Sequence, residues 1–168
     1  MPLMKNPVTR NKLKKNSRAI IVILDSVTDP QNFASCIRSS LSFGASCLII
    51  PKHQSATVTP IVHKISVGGA SSLPIFKVVN ICQTLEILKK EHFWIYGTCE
   101  RAKKSLHNLS MPKRTAIVLG SEGRGIKLLT KKNVDILYNI DTNKSFPSLN
   151  VAMVCAISLF YVKNFQTE

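Results

Sequence analysis

The sequence predicts an α/β domain built on a largely parallel β-sheet with helices on both faces. Short, continuous apolar runs such as AIIVIL at 19–24 alternate along the chain with segments whose apolar residues recur at helical spacing. Parallel strands need a crossover between them, usually a helix, so this alternation favours a parallel sheet. With 168 residues, of which 45% are hydrophobic and 19% charged, the chain is long enough for one domain with a core.

The first strand, helix and second strand carry the clearest signals. The run at 19–24 is apolar throughout, as expected of a strand that is covered on both faces. Asp29 and Pro30 then supply an N-cap and a proline at the first helical position. We expect this helix to end at Gly44, with the apolar run CLII beginning the second strand at Cys47.

The remaining elements follow from the same signals. Thr59-Pro60 repeats the pairing of an N-cap with a proline, and Gly68-Gly69 ends that helix. Apolar spacing separates the later helices from the strands. The predicted strands cover 19–24, 47–50, 74–78, 93–98, 115–119 and 135–140, and the predicted helices cover 31–43, 60–67, 81–90, 126–132 and 149–164.

The last predicted helix has no polar face. From Val151 to Val162 every residue except Ser158 is apolar or aromatic. This run is too short to cross a bilayer, which needs about 20 residues. A helix that is apolar on all sides has to be buried on all sides. We expect one face to pack on the sheet and the other on a second copy of the chain; a fully internal helix is the alternative.

The charge of the chain predicts a polyanionic partner. Lys and Arg outnumber Asp and Glu by 23 to 9, which gives a formal net charge of +14. Nucleic acid is the leading candidate and an anionic membrane surface the weaker one. Residues 1–18 are basic and contain no acid, so we interpret them as an N-terminal arm that precedes a domain at 19–168. Two further basic groups lie at 101–114 and 124–132.

The cysteines predict neither disulfides nor a metal site. The five cysteines form no CxxC pair, and their spacing from the four histidines is not typical of metal ligands. An odd number without a framework indicates reduced thiols in a cytosol-like compartment.

The stretch VLGSEGRGI at 118–126 is the first of three candidate site segments. Its glycine order is GxxGxG, which fits neither a dinucleotide fingerprint nor a Walker loop. Glu122 lies among the glycines and would repel a phosphate. Glycines allow the backbone to approach a ligand closely, and a carboxylate favours positive charge. This stretch therefore predicts a site for a neutral or cationic ligand.

Two more polar segments lie at predicted helix starts. In DSVTDPQNFASCIRSS, residues 25–40, Asn32 and Arg38 are six residues apart with Ser35 midway, and we expect them on one helix face. In NKSFPSLNVAM, residues 143–153, Ser148 and Asn150 precede the apolar helix. Taken alone, each segment has a plain structural explanation, since Arg38 could form a surface pair and Ser148 or Asn150 could cap the helix.

In order and spacing, these segments resemble the three motifs of the SpoU–TrmH family of RNA ribose 2′-O-methyltransferases, within the SPOUT superfamily. The matching stretches are DSVTDPQNFASCIRSS, IVLGSEGRGI and FPSLNVAMVCAISLFY. SATVTPIVHKISVGGASSLPIFKV and FWIYGT resemble the subgroup that methylates a guanosine of large-subunit ribosomal RNA. The resemblance covers residues 19–164.

The resemblance implies a C-terminal deep trefoil knot, the α/β knot of the SPOUT fold, with S-adenosylmethionine bound in it. It also implies a homodimer that transfers a methyl group to a ribose 2′-hydroxyl, with a guanosine of large-subunit (23S-type) ribosomal RNA as the expected target. Two alternatives remain open: a transfer RNA ribose 2′-O-methyltransferase, and a non-catalytic RNA-binding dimer acting in ribosome assembly. The implied location is the bacterial cytoplasm, with the mitochondrial matrix as the alternative.

Matching the motifs residue by residue implies a set of site residues without a metal. The implied cofactor-binding residues are Gly97, Thr98, Leu119, Gly120, Gly123, Ile140, Ser148, Leu149 and Asn150. The implied catalytic residues are Arg38, Asn32, Glu122, Ser148 and Asn150. Arg38 would act on the 2′-hydroxyl, with Asn32 and Glu122 orienting it. Because the pKa of arginine lies above about 12, orienting the hydroxyl and an RNA phosphate is as consistent with this residue as a base role.

The family commonly carries an N-terminal RNA-binding domain. Here the basic arm precedes the first strand instead. We therefore expect recognition of the RNA to depend on that arm and on the basic surface of the dimer.

Overall fold

The apolar run at 19–24 forms an interior strand of a parallel sheet, third from one edge. The structure is a computed structural model that describes residues 18–143, 145 and 148–167, so the predicted arm lies outside it except for Arg18. Within these residues the sheet has seven strands in the order β3-β2-β1-β6-β4-β7-β5, and every pairing is parallel. The strands are β1 Ala19–Asp25, β2 Cys47–Pro51, β3 Ile75–Val78, β4 Trp94–Thr98, β5 Lys104–Ser105, β6 Arg114–Gly120 and β7 Ile136–Asn139.

Helices connect the strands and cover both faces of the sheet. They are α1 Pro30–Ser42, α2 Pro60–Ile65, α3 Gly69–Ser72, α4 Ile81–Lys90, α5 Leu128–Asn133 and α6 Val151–Thr167, with a 3-10 turn at Leu106–Asn108. Alternate residues of β1 belong to two separate cores. Val22 and Leu24 pack in a cluster with α1 and α6, whereas Ile21 and Ile23 pack in a cluster with α4. The predicted parallel sheet with helices on both faces is confirmed.

The caps of α1 explain where it places its first turn. Asp29 Oδ2 accepts a hydrogen bond from the backbone nitrogen of Asn32 at 2.7 Å, and Pro30 occupies the first turn as predicted. Gly44 follows the helix with a φ of +77°, which favours glycine. The side chain of Asn32 is thereby held at the carboxyl edge of the sheet, because α1 begins there directly after β1.

Two parts of the chain differ from the prediction. The helix that begins at Pro60 ends at Ile65, and Gly69 begins the short helix α3 instead of ending α2. A side chain at Gly69 would contact Leu41 of α1, with its Cβ 2.8 Å from Leu41 Cδ1, so glycine allows α3 to pack closely on α1. The edge strand β5 and the 3-10 turn after it were not predicted, because a strand of two residues has no readable periodicity.

Helix α6 is apolar on both sides but buried on only one. Met153 and Phe160 are 59% and 55% exposed, whereas Cys155 and Leu159 are fully buried. Ile157 lies on the same exposed face, and Phe165 near the end of the helix is also exposed. The alternative of a fully internal helix is therefore wrong for the single chain.

The one polar residue inside the apolar run of α6 has a partner in the sheet. Ser158 is fully buried, and its Oγ accepts a hydrogen bond from the Tyr138 hydroxyl at 2.7 Å. This bond fixes α6 against β7. Burial raises the pKa of Tyr138 well above its usual value of 10, so the phenol stays protonated and continues to donate.

None of the helices described here combines the length and apolarity needed to cross a lipid bilayer. The strand order places β4 between β6 and β7, so the chain that leaves β6 passes β4 before it re-enters the sheet. The trefoil knot itself stays a prediction.

Candidate functional site

A cavity of about 750 Å³ opens at the carboxyl ends of β4, β6 and β7. This is the edge at which open α/β sheets bind ligands. Thr98 ends β4, Gly120 ends β6 and Ile140 follows β7, and all three line the cavity. The loop before α6 closes it with Ser148, Leu149 and Asn150. The volume lies within the range typical of small-molecule sites, about 300–1,000 Å³.

The glycine-rich stretch forms a tight turn at the mouth of this cavity. The backbone nitrogen of Gly125 donates to the carbonyl oxygen of Ser121 at 2.8 Å, which closes the turn. Gly123 and Gly125 have φ values of +76° and +66°. A side chain at Gly120 would overlap the carbonyl carbon of Gly125 and the backbone nitrogen of Ile126. The glycines therefore allow the turn to fold back onto the end of β6.

A buried carboxylate anchors the end of this turn. Asp25, the last residue of β1, is 1% exposed, and its Oδ2 accepts from the backbone nitrogen of Lys127 at 3.0 Å. Its Oδ1 accepts from the Ser26 hydroxyl at 3.2 Å. An unpaired buried carboxylate is costly, so these bonds hold the segment after the turn against β1. The sequence reasoning missed Asp25, although an acid at the end of an apolar strand was a usable signal.

The three polar segments meet in one hydrogen-bonded cluster. Glu122 Oε1 accepts from Asn32 Nδ2 at 3.1 Å and from Asn150 Nδ2 at 2.7 Å. Asn150 Nδ2 also donates to Asn32 Oδ1 at 2.8 Å. Both amides thus fix one oxygen of the carboxylate. Among the described residues, nothing forms a hydrogen bond with the second oxygen, Oε2, which leaves it available to a ligand at the cavity mouth.

Asn150 also begins α6. Its Oδ1 accepts from the backbone nitrogen of Ala152 at 2.7 Å, and its carbonyl oxygen accepts from that of Val154 at 3.0 Å. These are the bonds of an N-cap, so the capping interpretation is correct for Asn150. The same side chain uses its nitrogen for Glu122, and the cap therefore fixes the orientation of the cluster.

Arg38 lies apart from this cluster within one chain. It is exposed and forms no hydrogen bond or ion pair with any residue in the described part of the chain. It is six positions beyond Asn32 in the helix, which places it about 120° around α1 and about 9 Å along it. The three-residue spacing that linked Asn32, Ser35 and Arg38 therefore does not direct Arg38 toward Glu122.

Most of the predicted cofactor-binding residues line the cavity. They are Thr98, Gly120, Gly123, Ile140, Ser148, Leu149 and Asn150. Gly97 and Leu119 do not line it. Leu119 is fully buried in the core, and a side chain at Gly97 would lie 3.1 Å from atoms of both Leu137 and Val134. These two residues belong to β4 and β6, two of the strands at whose ends the cavity opens.

Several lining residues were not predicted. Tyr138 and Val154 contribute apolar surface, and Asn139 contributes polar atoms. Arg101, Arg124 and Lys131 bring positive charge to the cavity. The basic groups at 101–114 and 124–132 were the signal for these cations, but the sequence did not indicate that the two groups meet.

A second polar cluster holds the segment that leaves β7. The Ser105 hydroxyl donates to Asp141 Oδ2 at 2.6 Å and lies 2.8 Å from His107 Nδ1. His107 Nδ1 is itself 3.0 Å from Asp141 Oδ2. Asp141 stands between Ile140 and Thr142, both of which line the cavity. This exposed cluster therefore attaches the start of the cavity-closing loop to β5.

The chemistry of the cavity suits a ligand with a polar, cationic part and a flat or apolar part. Backbone groups of the glycine turn and the side chains of Leu149, Val151 and Val154 form the wall. At the mouth, the Glu122 carboxylate is fixed by two amides. In the described residues no group of three or more His, Cys, Asp or Glu is placed to hold a metal ion.

Comparison with known proteins finds relatives that are similar in sequence over most of the chain. The chain is 40% identical over 150 residues to the 23S rRNA (guanosine-2′-O-)-methyltransferase RlmB of Coxiella burnetii, which covers 89% of this chain and 60% of that protein. It is 39% identical over 140 residues to the protein of the same name from Escherichia coli K12, covering 83% of this chain and 58% of that protein. The chain thus spans about 60% of the length of these relatives.

Solved structures share the fold. The SpoU methyltransferase AviRb from Streptomyces viridochromogenes, in complex with AdoMet, superposes with a TM-score of 0.85 at 22% identity, over 94% of this chain and 62% of that chain. The A. aeolicus TrmH/SpoU tRNA modifying enzyme superposes with a TM-score of 0.81 at 24% identity, over 99% and 85%.

The sequence matches the SpoU rRNA Methylase family over residues 19–160, which extend from β1 into α6. This match contains all three polar segments that meet at the cavity and confirms the resemblance predicted from them. The chain therefore belongs to the SpoU rRNA methylase family.

Proposed function

We propose that this chain transfers a methyl group from S-adenosylmethionine to a ribose 2′-hydroxyl of a guanosine in large-subunit ribosomal RNA. The observation that carries the proposal is the cluster of Asn32, Glu122 and Asn150 at the mouth of the 750 Å³ cavity. The names of the relatives from Coxiella burnetii and Escherichia coli, both 23S rRNA (guanosine-2′-O-)-methyltransferases, support the choice of substrate.

The residues of the cavity fit S-adenosylmethionine. The volume accepts a ligand of that size, and the wall offers backbone groups and apolar side chains for an adenine ring. The structure of AviRb, which shares this fold, was solved in complex with AdoMet. In this chain, Thr98, Gly120, Ile140 and Leu149 would hold the cofactor.

The carboxylate of Glu122 is the group that this chain would offer to the reacting atoms. When bound, the cofactor supplies a methyl group attached to a positively charged sulfur. Oε1 of Glu122 is occupied by the two amides, so Oε2 can accept a hydrogen bond from the ribose hydroxyl and fix its direction. Such positioning can lower a barrier by about 7–11 kcal/mol in favourable cases. Ser148, at the cavity wall, would contact the same ribose.

Arg38 would act on the RNA and not on the cofactor. It is exposed, and it does not line the cavity. A guanidinium is suited to hold a phosphate through two hydrogen bonds, and its pKa above about 12 disfavours a role as base. We therefore assign it the orientation of the RNA backbone beside the target ribose.

We further propose a homodimer through the exposed face of α6. Met153, Ile157, Phe160 and Phe165 are large apolar side chains that the single chain leaves exposed on one helix. An apolar helix face of this kind is typical of an interface. The trefoil knot at the cavity and a location in the bacterial cytoplasm complete the proposal; the five free cysteines and the bacterial relatives are consistent with the latter.

The direct test is to incubate the purified chain with S-adenosylmethionine and unmodified 23S rRNA, digest the RNA to nucleosides and identify the product by mass spectrometry. We expect 2′-O-methylguanosine. Methylation of transfer RNA alone would replace the proposed substrate. Absence of cofactor binding in calorimetry would instead favour the non-catalytic RNA-binding dimer and contradict the proposal.

A further inference from the structure

Three cations line the cavity: Arg101, Arg124 and Lys131. Arg101 follows β4, Arg124 lies in the glycine turn and Lys131 lies on α5, so three separate elements bring them together. None of these side chains forms a hydrogen bond or an ion pair with a residue that the structure describes. We call Arg101, Arg124 and Lys131 the cation rim.

The carboxylates nearby do not neutralise the rim. Glu100 and Glu122 are the acids that line the cavity among the described residues. Glu122 is engaged by Asn32 and Asn150, although Arg124 is only two residues away along the same turn. The rim therefore keeps an excess of positive charge beside the cavity.

This charge does not suit the proposed cofactor as a whole. Its sulfur is positively charged when bound, and like charges at close range repel. Cations at the mouth of such a site instead raise the local concentration of an anionic second substrate. The RNA backbone carries one phosphate per nucleotide, and phosphate contacts from Arg and Lys position an RNA without reading its sequence.

We propose that the cation rim binds phosphates of the RNA strand on both sides of the target ribose and so delivers its 2′-hydroxyl to Glu122. The inference rests on the proposed function of the site. It assigns the neutral wall of the cavity to the cofactor and the charged mouth to the RNA. The segment after β4, the glycine turn and α5 would then each contribute one contact to an RNA phosphate.

The test uses salt dependence, because each phosphate contact to a single strand adds about 0.7 to the slope of log Kd against log salt concentration. The rim variant carries Arg101→Ala, Arg124→Ala and Lys131→Ala. The control variant carries Lys64→Ala, Lys77→Ala and Lys90→Ala, which are exposed lysines on α2, β3 and α4 outside the cavity. Both variants lose three positive charges. The probe is a short, labelled, single-stranded RNA of mixed sequence, titrated without cofactor.

We expect the rim variant to lower the salt slope by about 2 and the control variant to leave it within experimental error. S-Adenosylmethionine affinity, measured by calorimetry, should change less than about threefold in either variant. Equal slopes for the wild type and the rim variant, or an equal loss in the control variant, would overturn the proposal. A rim variant that loses cofactor affinity while keeping its RNA slope would assign the rim to the cofactor carboxylate and would also overturn it.

The outcome does not depend on methyl transfer. If the wild type binds RNA with a slope that the rim variant reduces, but transfers no methyl group, the proposed function fails together with the delivery of a target ribose, and the contact of the rim with RNA phosphates stands. If methyl transfer occurs but the rim variant has the same salt slope as the wild type, the proposed function stands and the rim proposal fails.

Discussion

Replacing Gly120 with alanine should lower the free energy of unfolding more than the same substitution at any other glycine of the site. The added Cβ would overlap the carbonyl carbon of Gly125 and the backbone nitrogen of Ile126. These are backbone atoms, so no side-chain rotation relieves the overlap. Overpacking a core costs about 1–3 kcal/mol when side chains can adjust, and we expect Gly120→Ala to cost more than about 3 kcal/mol.

Two other glycines provide matched controls. At Gly97 the added Cβ would lie 3.1–3.2 Å from side-chain atoms of Leu137, Val134 and Ile126, which can shift by a few tenths of an ångström. At Gly123 it would meet no atom within 4 Å, and the cost is that of an alanine at a φ of +76°, about 1–2 kcal/mol. The expected order of destabilisation is therefore Gly120→Ala first, with the other two well below it.

Urea unfolding of the three variants, followed by circular dichroism, measures this order, and calorimetry with S-adenosylmethionine measures the site. Gly120→Ala should also abolish cofactor binding, because the turn that carries Glu122 has to move away from β6. A Gly120→Ala variant as stable as Gly97→Ala would refute the close crossing of the turn over the end of β6.

Three further predictions concern other parts of the molecule. Phe160→Glu on the exposed face of α6 should convert a dimer into monomers in light scattering, whereas Val79→Glu, at another exposed apolar residue, should not; an unchanged mass for Phe160→Glu would exclude this face. Burial raises the pKa of Tyr96 from 10 to about 12, so its contribution to stability is complete below pH 10 and is lost as the pH rises toward 12. Tyr96→Phe should lose less stability over that interval in denaturant titrations, and equal losses would contradict the assignment. Asp141→Asn removes the carboxylate charge 3.0 Å from His107 Nδ1 and should weaken cofactor binding at most about fivefold, since exposed contacts of this kind contribute about 0–1 kcal/mol; a larger loss would give the cluster a direct role in the cavity.

The parallel sheet could be predicted because its strands are buried on both faces and therefore apolar throughout. β1 is buried at all seven positions, and α4 begins and ends where its apolar spacing predicted. The pattern does not distinguish the two sides of α6, since Met153 faces outward and Cys155 inward although both are apolar. Composition indicates that such a helix needs a partner but not which face the partner covers.

The candidate site illustrates a different limit. Asn32 and Glu122 are 90 residues apart, and no local pattern indicates that their side chains form a hydrogen bond. Only the order of the three motifs predicted that they would share a site. The expectation that Arg38 shares a face of α1 with Asn32 was wrong, because two residues six positions apart in a helix point about 120° away from each other. Asp25 was overlooked because its carboxylate accepts a hydrogen bond from the backbone nitrogen of Lys127, which lies 102 residues further along the chain.

The central claim is that Glu122, held by Asn32 and Asn150, positions the ribose that accepts the methyl group. Glu122→Gln tests it most directly, because the amide keeps the size of the side chain and an oxygen that can accept from both asparagines. Methyl transfer to 23S rRNA and S-adenosylmethionine affinity should be measured on the wild type and this variant under the same conditions. The account predicts a rate lowered on the order of 10²-fold with cofactor affinity nearly unchanged; a rate close to that of the wild type would contradict it.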